Sequence, residues 1–207
     1  MRAERYGPRG RRVAPALGIL IGGELIAAAL VLHANPLYRT PSSVGQVPAS
    51  SSAAESSRLS DGDVPLRLHL VSAGTDAAVV AVGVARDGEL GVPENPQQVG
   101  WWRDGAAPGS ARGTVVIDGH VDTRTAGPGA LYRLETLSPG DSITMDTTTG
   151  SRRYRVAARS VYRKSSLPAG LFAKAGSPRL ALITCGGPFN YSTRSYEYNV
   201  VVYALPA

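Results

Sequence analysis

A single cysteine in 207 residues excludes an intramolecular disulfide framework, a cysteine-rich zinc site and an iron–sulfur cluster. Aromatic residues are scarce at 6% and charged residues at 18%, and the two do not interleave into the basic patch that nucleic acid requires. The chain has no phosphate-binding glycine loop, no internal repeat and no tight acidic cluster of the kind calcium needs. No metal and no cofactor is expected. Abundant instead are glycine and proline, 24 and 15 residues, which favour a turn-rich β architecture over a helical bundle. With 43% apolar residues the chain can bury one core, which leaves room for a single domain and its appendages.

The formal charge of +6 is unevenly placed. Residues 1–12 hold five arginines against Glu4, so +4 of the total precedes the first apolar run. That run, VAPALGILIGGELIAAALVL at 13–32, carries one charge, Glu24. Twenty helical residues span roughly 30 Å, the thickness of a bilayer's hydrocarbon layer. A mid-bilayer carboxylate costs about 2 to 3 kcal/mol, which the remaining apolar residues outweigh. The expected layout is a basic cytoplasmic tail at 1–12 and a transmembrane signal-anchor at 13–33. Arginines on the inner side make this a single-pass cell-membrane protein with its C-terminal domain outside. A cleaved signal peptide is the competing reading, and Leu32-His33-Ala34 makes a poor cleavage site for it.

From 34 to 63 the composition turns to Ser, Pro, Ala and Gly, with too little apolar surface to order itself, and reads as a flexible spacer. The domain proper, 64–207, reads as short strands. Leu66, Leu68 and Leu70 alternate with Arg67 and His69, and an apolar run at 77–85 is closed by Asp87-Gly88, a hairpin-turn pair. Further strands are expected at 114–117, 142–145, 154–161, 179–184 and 199–205, with short helices only at 130–137 and 169–175. The predicted fold is mainly β, a closed barrel of seven to eight strands with short helices, preceded by one transmembrane helix. It lacks an apolar interface stripe, which suggests a monomer.

Cys185 ends the run RLALIT and is followed by Gly186, Gly187 and Pro188, where the strand is expected to stop. A thiol at a glycine-flanked corner is open to substrate, whereas a lone buried cysteine is commonly structural. An unpaired thiol in an exported domain is exposed to oxidation, which favours the reactive reading. His120, in TVVIDGHVD at 114–122, likewise follows a β-rich run and a glycine. A lone histidine is often structural, but a thiol needs a proton acceptor to become a thiolate, and the two residues together make a nucleophile and base. Asp118, His120 and Asp122 as a metal set is a weaker reading of the same segment. Arg194, nine residues after Cys185, is either a solvated loop charge or a donor to the oxyanion of an acyl-transfer intermediate. Asn190-Tyr191-Ser192 matches a glycosylation sequon, a pattern frequent by chance.

Three motifs in this order, VVIDGHVDTRTAGPGALYRL at 115–134, LITCGGPF at 182–189 and YEYNVVVYA at 196–204, resemble the sortases. These are membrane-anchored cysteine transpeptidases of Gram-positive bacteria, and the likeness is greatest to the actinobacterial class F type. The resemblance implies a sortase-like barrel in which Cys185 is the acyl-thioester nucleophile and His120 the general acid and base. It implies cleavage of a Leu-Pro-x-Thr-Gly-type sorting signal on secreted proteins. Transfer would follow to an amine of a peptidoglycan precursor in the cell wall. Thr184 is implied to shape the substrate cleft. The family's site also holds an arginine at the opening of the last strand, where this sequence has Tyr198 and Asn199. Arg194, Arg124 and Asn199 are the candidates for that role.

Two other readings stay open on the residues alone. One is another exported cysteine acyl-transferase or hydrolase acting on peptidoglycan, although such enzymes place histidine after the cysteine rather than before it. The other is a non-catalytic, membrane-tethered barrel that binds wall polymer.

Overall fold

Short alternating runs broken by glycine build a closed barrel. The computed structural model describes residues 41–49, 63–86 and 88–207. The expected cytoplasmic tail, the transmembrane segment at 13–33 and most of the spacer lie outside the described residues. Among the described residues no helix is long and apolar enough to cross a membrane.

The strands are β1 (Val44–Gly45), β2 (Pro65–Leu70), β3 (Thr75–Val82), β4 (Val99–Trp102), β5 (Thr114–Gly119), β6 (Asp122–Thr123), β7 (Gly127–Pro128), β8 (Ser142–Thr147), β9 (Gly150–Arg163), β10 (Arg179–Asn190) and β11 (Ser195–Pro206). Eight of them close on one another in the order β9-β11-β10-β5-β4-β3-β2-β8, with β8 returning to β9, and β1 adds to the outside of β9. β6 and β7 form a separate two-stranded ribbon. Closure leaves these eight strands no free edge. Two pairings are parallel, β3 with β4 and β10 with β5, and the latter sets the site.

Two apolar layers follow from the period of two along each strand. Leu68, Ile117, Leu182, Val200 and Val202 point inward with other residues of the main core. Val116, Ala181, Ile183, Val201 and Tyr203 point outward, where Leu171 and Trp102 cover them. The cover comes from the β9–β10 connection, which runs through 3-10 turns at Lys164–Ser166 and Ala169–Phe172. Phe172 meets Trp102 edge to face at 5.5 Å.

The sequence reading differs from the structure at several points. Leu66 is 51% exposed, because a register shift between Pro65 and Arg67 breaks the expected alternation. β4 was not foreseen, since Val-Gly-Trp-Trp is buried along its whole length and shows no alternation. Both expected helices are single 3-10 turns, at Leu134–Thr136 and Ala169–Phe172. β10 does not stop at Cys185: Gly187 takes φ +75° in a bulge, and pairing with β11 resumes at Phe189.

Part of the Ser/Pro-rich stretch is packed rather than free. Val44 and Gly45 pair with Arg159 and Ala158. The buried Arg159 donates to the carbonyl of Ser42 through Nε at 3.3 Å and Nη2 at 3.1 Å, and to that of Leu137 through Nη1 at 2.5 Å. Arg179, also buried, donates to Thr114 Oγ1 at 2.9 Å, to the carbonyl of Pro48 at 3.0 Å and to that of Gly170. The segment lacks apolar surface, but its backbone carbonyls help satisfy two guanidinium groups that no carboxylate among the described residues meets.

Candidate active site

Strand register brings the thiol and the imidazole together. Ile183 of β10 pairs with Asp118 of β5, the last rung of that parallel ladder. Two residues further along each chain, past that rung, stand Cys185 and His120, which the alternation along the two strands turns to the same outer face. On the other side, Cys185 opposes Asn199, and Asn199 opposes Tyr162. One row, Tyr162–Asn199–Cys185–His120, therefore crosses the outer face. Cys185 is a free, half-buried cysteine.

Glycines make the corner possible. A Cβ on Gly186 would sit 2.7 Å from Val200 Cγ2, and one on Gly187 would sit 2.6 Å from Tyr198 Cδ2. Both are closer than real Cβ atoms approach, so Cys185 is followed by residues that admit no side chain.

His120 is held from two directions. Its Nε2 lies 3.0 Å from the carbonyl oxygen of Pro93, in the connection between β3 and β4. A carbonyl only accepts, so Nε2 carries the proton and Nδ1 is left as the basic nitrogen. The chain after His120 folds straight back: Leu131 N donates to the His120 carbonyl at 3.2 Å and Gly129 N to that of Val121 at 2.9 Å. A Cβ on Gly129 would overlap the His120 carbonyl oxygen, so this return requires glycine.

Thr184 does not face the cleft. It is buried on the inner side, and its hydroxyl donates to the carbonyl of Gly119 at 2.8 Å, tying β10 to β5 beneath the Cys185–His120 row. Arg194 lies in the β10–β11 turn with φ +53°, beyond the last rung between Asn190 and Ser195. That is about 15 Å of strand from Cys185, and the structure does not bring the two together. Arg124 is exposed in the turn of the β6–β7 ribbon. Asn199 is the one candidate donor on the rung of the thiol. The sequon residue Asn190 is part of a turn, its Oδ1 accepting from Ser192 N at 3.0 Å, Ser192 Oγ at 2.6 Å and Thr193 N at 3.2 Å.

The carboxylates near His120 diverge. Asp118 is 6% exposed, and its Oδ1 has no hydrogen-bond partner. Its pKa is pushed up to about 7 by burial, against backbone N–H groups of Asp118 and Gly100 that favour the charge. Its side chain occupies the space above Gly100, where a Cβ would overlap Oδ1. Asp122 instead accepts a hydrogen bond from the Tyr196 hydroxyl at 2.6 Å. The Tyr196 phenol is pushed well above its ordinary value, first by burial, then by this bond and by the negative charges of Asp122 and of a Cys185 thiolate. With Asp118 over Gly100, His120 on Pro93 and Asp122 on Tyr196, the three do not converge on a metal. Of the residues that meet the site, Pro93 carries no signal in the sequence, Asp122 is weighed there only as a metal ligand, and Tyr196 only opens the 196–204 motif; they come together only through the fold.

A closed eight-stranded barrel with a half-buried thiol on one strand and an imidazole just past the end of the neighbouring strand fits a barrel-type cysteine enzyme. Comparison with protein families matches the description "Sortase domain" over residues 69–207. The chain belongs to the sortase family and is a cysteine transpeptidase. Solved structures share the fold. Streptococcus agalactiae sortase C1, in its complex with MTSET, is 20% identical with a TM-score of 0.53, covering 70% of this chain and 67% of that one. Sortase C-1 of Actinomyces oris is 20% identical with a TM-score of 0.53, covering 68% and 72%. Sortase A of Corynebacterium diphtheriae is 19% identical with a TM-score of 0.52, covering 68% and 59%. No curated protein sequence matches the chain significantly. Family membership sets aside both the unrelated peptidoglycan acyl-transferase and the inert wall-binding barrel.

Proposed function

We propose that this transpeptidase works through Cys185 and His120 on a Leu-Pro-x-Thr-Gly-type sorting signal. The observation that supports the reading is that both lie two residues past the last β5–β10 rung and on one face by the alternation of their strands. The Cys185 thiolate attacks the threonine carbonyl carbon. The peptide C–N bond then breaks as protonated His120 gives its proton to the departing glycine amine, leaving a thioester. An acceptor amine adds to the thioester carbonyl and loses a proton to His120. The C–S bond breaks, and the thiolate is restored.

Asn199, across the ladder from the thiol, is assigned as the side-chain donor to the oxyanion, with Arg194 and Arg124 outside the site. Leu90, Leu167 and Phe172, packed against the outer-face cluster, offer an apolar strip to the leucine and proline of the signal.

The finer assignments rest on sequence. The motifs at 115–134, 182–189 and 196–204 favour the class F type. The five arginines before the apolar run at 13–32 favour a single-pass membrane protein with its catalytic domain outside. In that setting the partners are secreted proteins bearing the signal and a peptidoglycan-precursor amine.

The test is mass spectrometry of the chain from Leu37 onward, incubated with Leu-Pro-x-Thr-Gly variants and an amine. An acyl adduct on Cys185, absent from Cys185→Ala, is expected. No adduct with any signal peptide would overturn the substrate assignment.

A further inference from the structure

The Cys185–His120 row lies beyond the last rung joining the two chains that carry it. β5 and β10 pair only as far as Asp118 with Ile183. Past that rung the strand ends have no ladder between them. Two side-chain hydrogen bonds bracket the gap. Below the row, Thr184 of β10 donates to the carbonyl of Gly119, the residue before His120. Above it, Tyr196 donates to Asp122 Oδ2 at 2.6 Å. Asp122 is two residues past His120, and Tyr196 opposes Phe189 on the hairpin that continues from Cys185.

We infer that Tyr196 and Asp122 are positioning residues of the transpeptidation site, their hydrogen bond tying the arm after His120 to the hairpin after Cys185 and so holding base and nucleophile at working separation. The inference rests on the reading of these two as base and nucleophile. Both ends of the tie are seated. The Tyr196 ring meets Phe189 edge to face at 5.2 Å and 76°, which fixes the phenol's direction. Asp122 opens β6 and pairs with Pro128 of β7. The phenol has one O–H, and it is committed to Asp122, so Tyr196 acts through the geometry of its neighbours rather than on substrate.

The tie also governs how the Asp122 charge is felt at the thiol. The other titratable groups carried by the surrounding segments are His120 and Asp118 on β5 and its extension, Arg124 on the β6–β7 ribbon, Tyr162 and Arg163 on β9, Tyr191 and Arg194 in the β10–β11 turn, Glu197 and Tyr198 on β11 and Tyr132 beyond the arm. Among these, Asp122 has its charge directed onto Tyr196, whose phenol feels the charge of Cys185. Without the phenol hydroxyl that charge is no longer offset there and opposes thiolate formation.

The experiment uses the full chain with two readouts: acyl transfer from a signal peptide, and the pH profile of Cys185 alkylation by iodoacetamide. Tyr196→Phe keeps the ring and its contact with Phe189. It is expected to lower kcat about tenfold or more with KM within about twofold, because misplaced reacting groups cost rate rather than binding. Asp122→Ala should match it, and the double variant should be no worse than either, as expected of two residues acting as one unit. Asp122→Asn keeps an acceptor and should recover most of the loss. Alkylation of Tyr196→Phe should move to higher pH, and adding Asp122→Asn should move it back. Wild-type kcat together with a wild-type alkylation profile in Tyr196→Phe overturns the inference, as do strictly additive losses in the double variant. Absence of any acyl adduct in the unmodified chain overturns the substrate reading instead, and the alkylation profiles then decide the tie alone.

Discussion

Asn199 stands directly across the β10–β11 ladder from Cys185, whereas Arg194 lies in the turn beyond the ladder's end. Directly opposed residues on one face keep their Cβ atoms about 5 Å apart, within reach of an amide donor to an oxyanion formed at the thiol. Removing such a donor typically costs on the order of 100-fold or more in rate. Asn199→Ala is expected to show that loss in acyl-adduct formation. Arg194→Ala and Arg124→Ala should stay within about twofold, as surface substitutions do. A large loss in either arginine variant would move the oxyanion role away from Asn199.

The Pro93 carbonyl determines which nitrogen of His120 is free. Because it accepts from Nε2, neutral His120 is expected to be protonated at Nε2 and to exchange its catalytic proton at Nδ1. Nitrogen-15 shifts of the neutral His120 ring check this directly. An Nδ1–H tautomer would place the Pro93 contact outside the working state.

Asp118 should make stability depend on pH. Its pKa is about 7 in the fold against an ordinary value of 3.8. Between those values the folded state holds a proton that the unfolded state has released, so stability falls as pH rises from about 4 to 7 and levels off above. One pKa unit corresponds to 1.36 kcal/mol, which sets the effect at roughly 2 to 4 kcal/mol. Thermal melts of the wild type from pH 4 to 8 should show this slope, and Asp118→Asn should remove it.

Gly129→Ala changes no reacting group, yet its Cβ would overlap the His120 carbonyl. The return of the arm must shift, and His120 with it. Acylation is expected to fall about 100-fold, the scale of an ångström's misplacement, while the chain stays folded by circular dichroism.

Cutting the chain at residue 50 removes the carbonyls of Ser42 and Pro48 from the buried Arg159 and Arg179. Each buried donor left unmet costs about 1 to 3 kcal/mol, so a chain starting at 51 should melt well below one starting at 37. Denaturant unfolding of the two forms checks this, and equal midpoints would show that water replaces both carbonyls.

The amino-acid sequence by itself determined the class of fold and the chemistry. Alternation through Leu68 and Leu70 and apolar runs ending in glycine are local properties, and they favour strands. Cys185 and His120 stood out because each follows such a run at a glycine corner. Partnership was decided only in three dimensions. Thr184 faces inward because the period of two puts it with Leu182 and opposite Val200, and the Gly119 carbonyl that it meets there lies 65 residues away along the chain. Arg194 lies near Cys185 in sequence but is carried away by a hairpin that continues through the Gly187 bulge. Pro93, Asp122 and Tyr196 come from three separate segments, the β3–β4 connection, β6 and β11, and reach the site only when the barrel closes. The chain's local chemistry could single out a candidate nucleophile and a candidate base. Their orientation depends on hydrogen bonds between segments far apart in sequence, and those form only in the folded molecule.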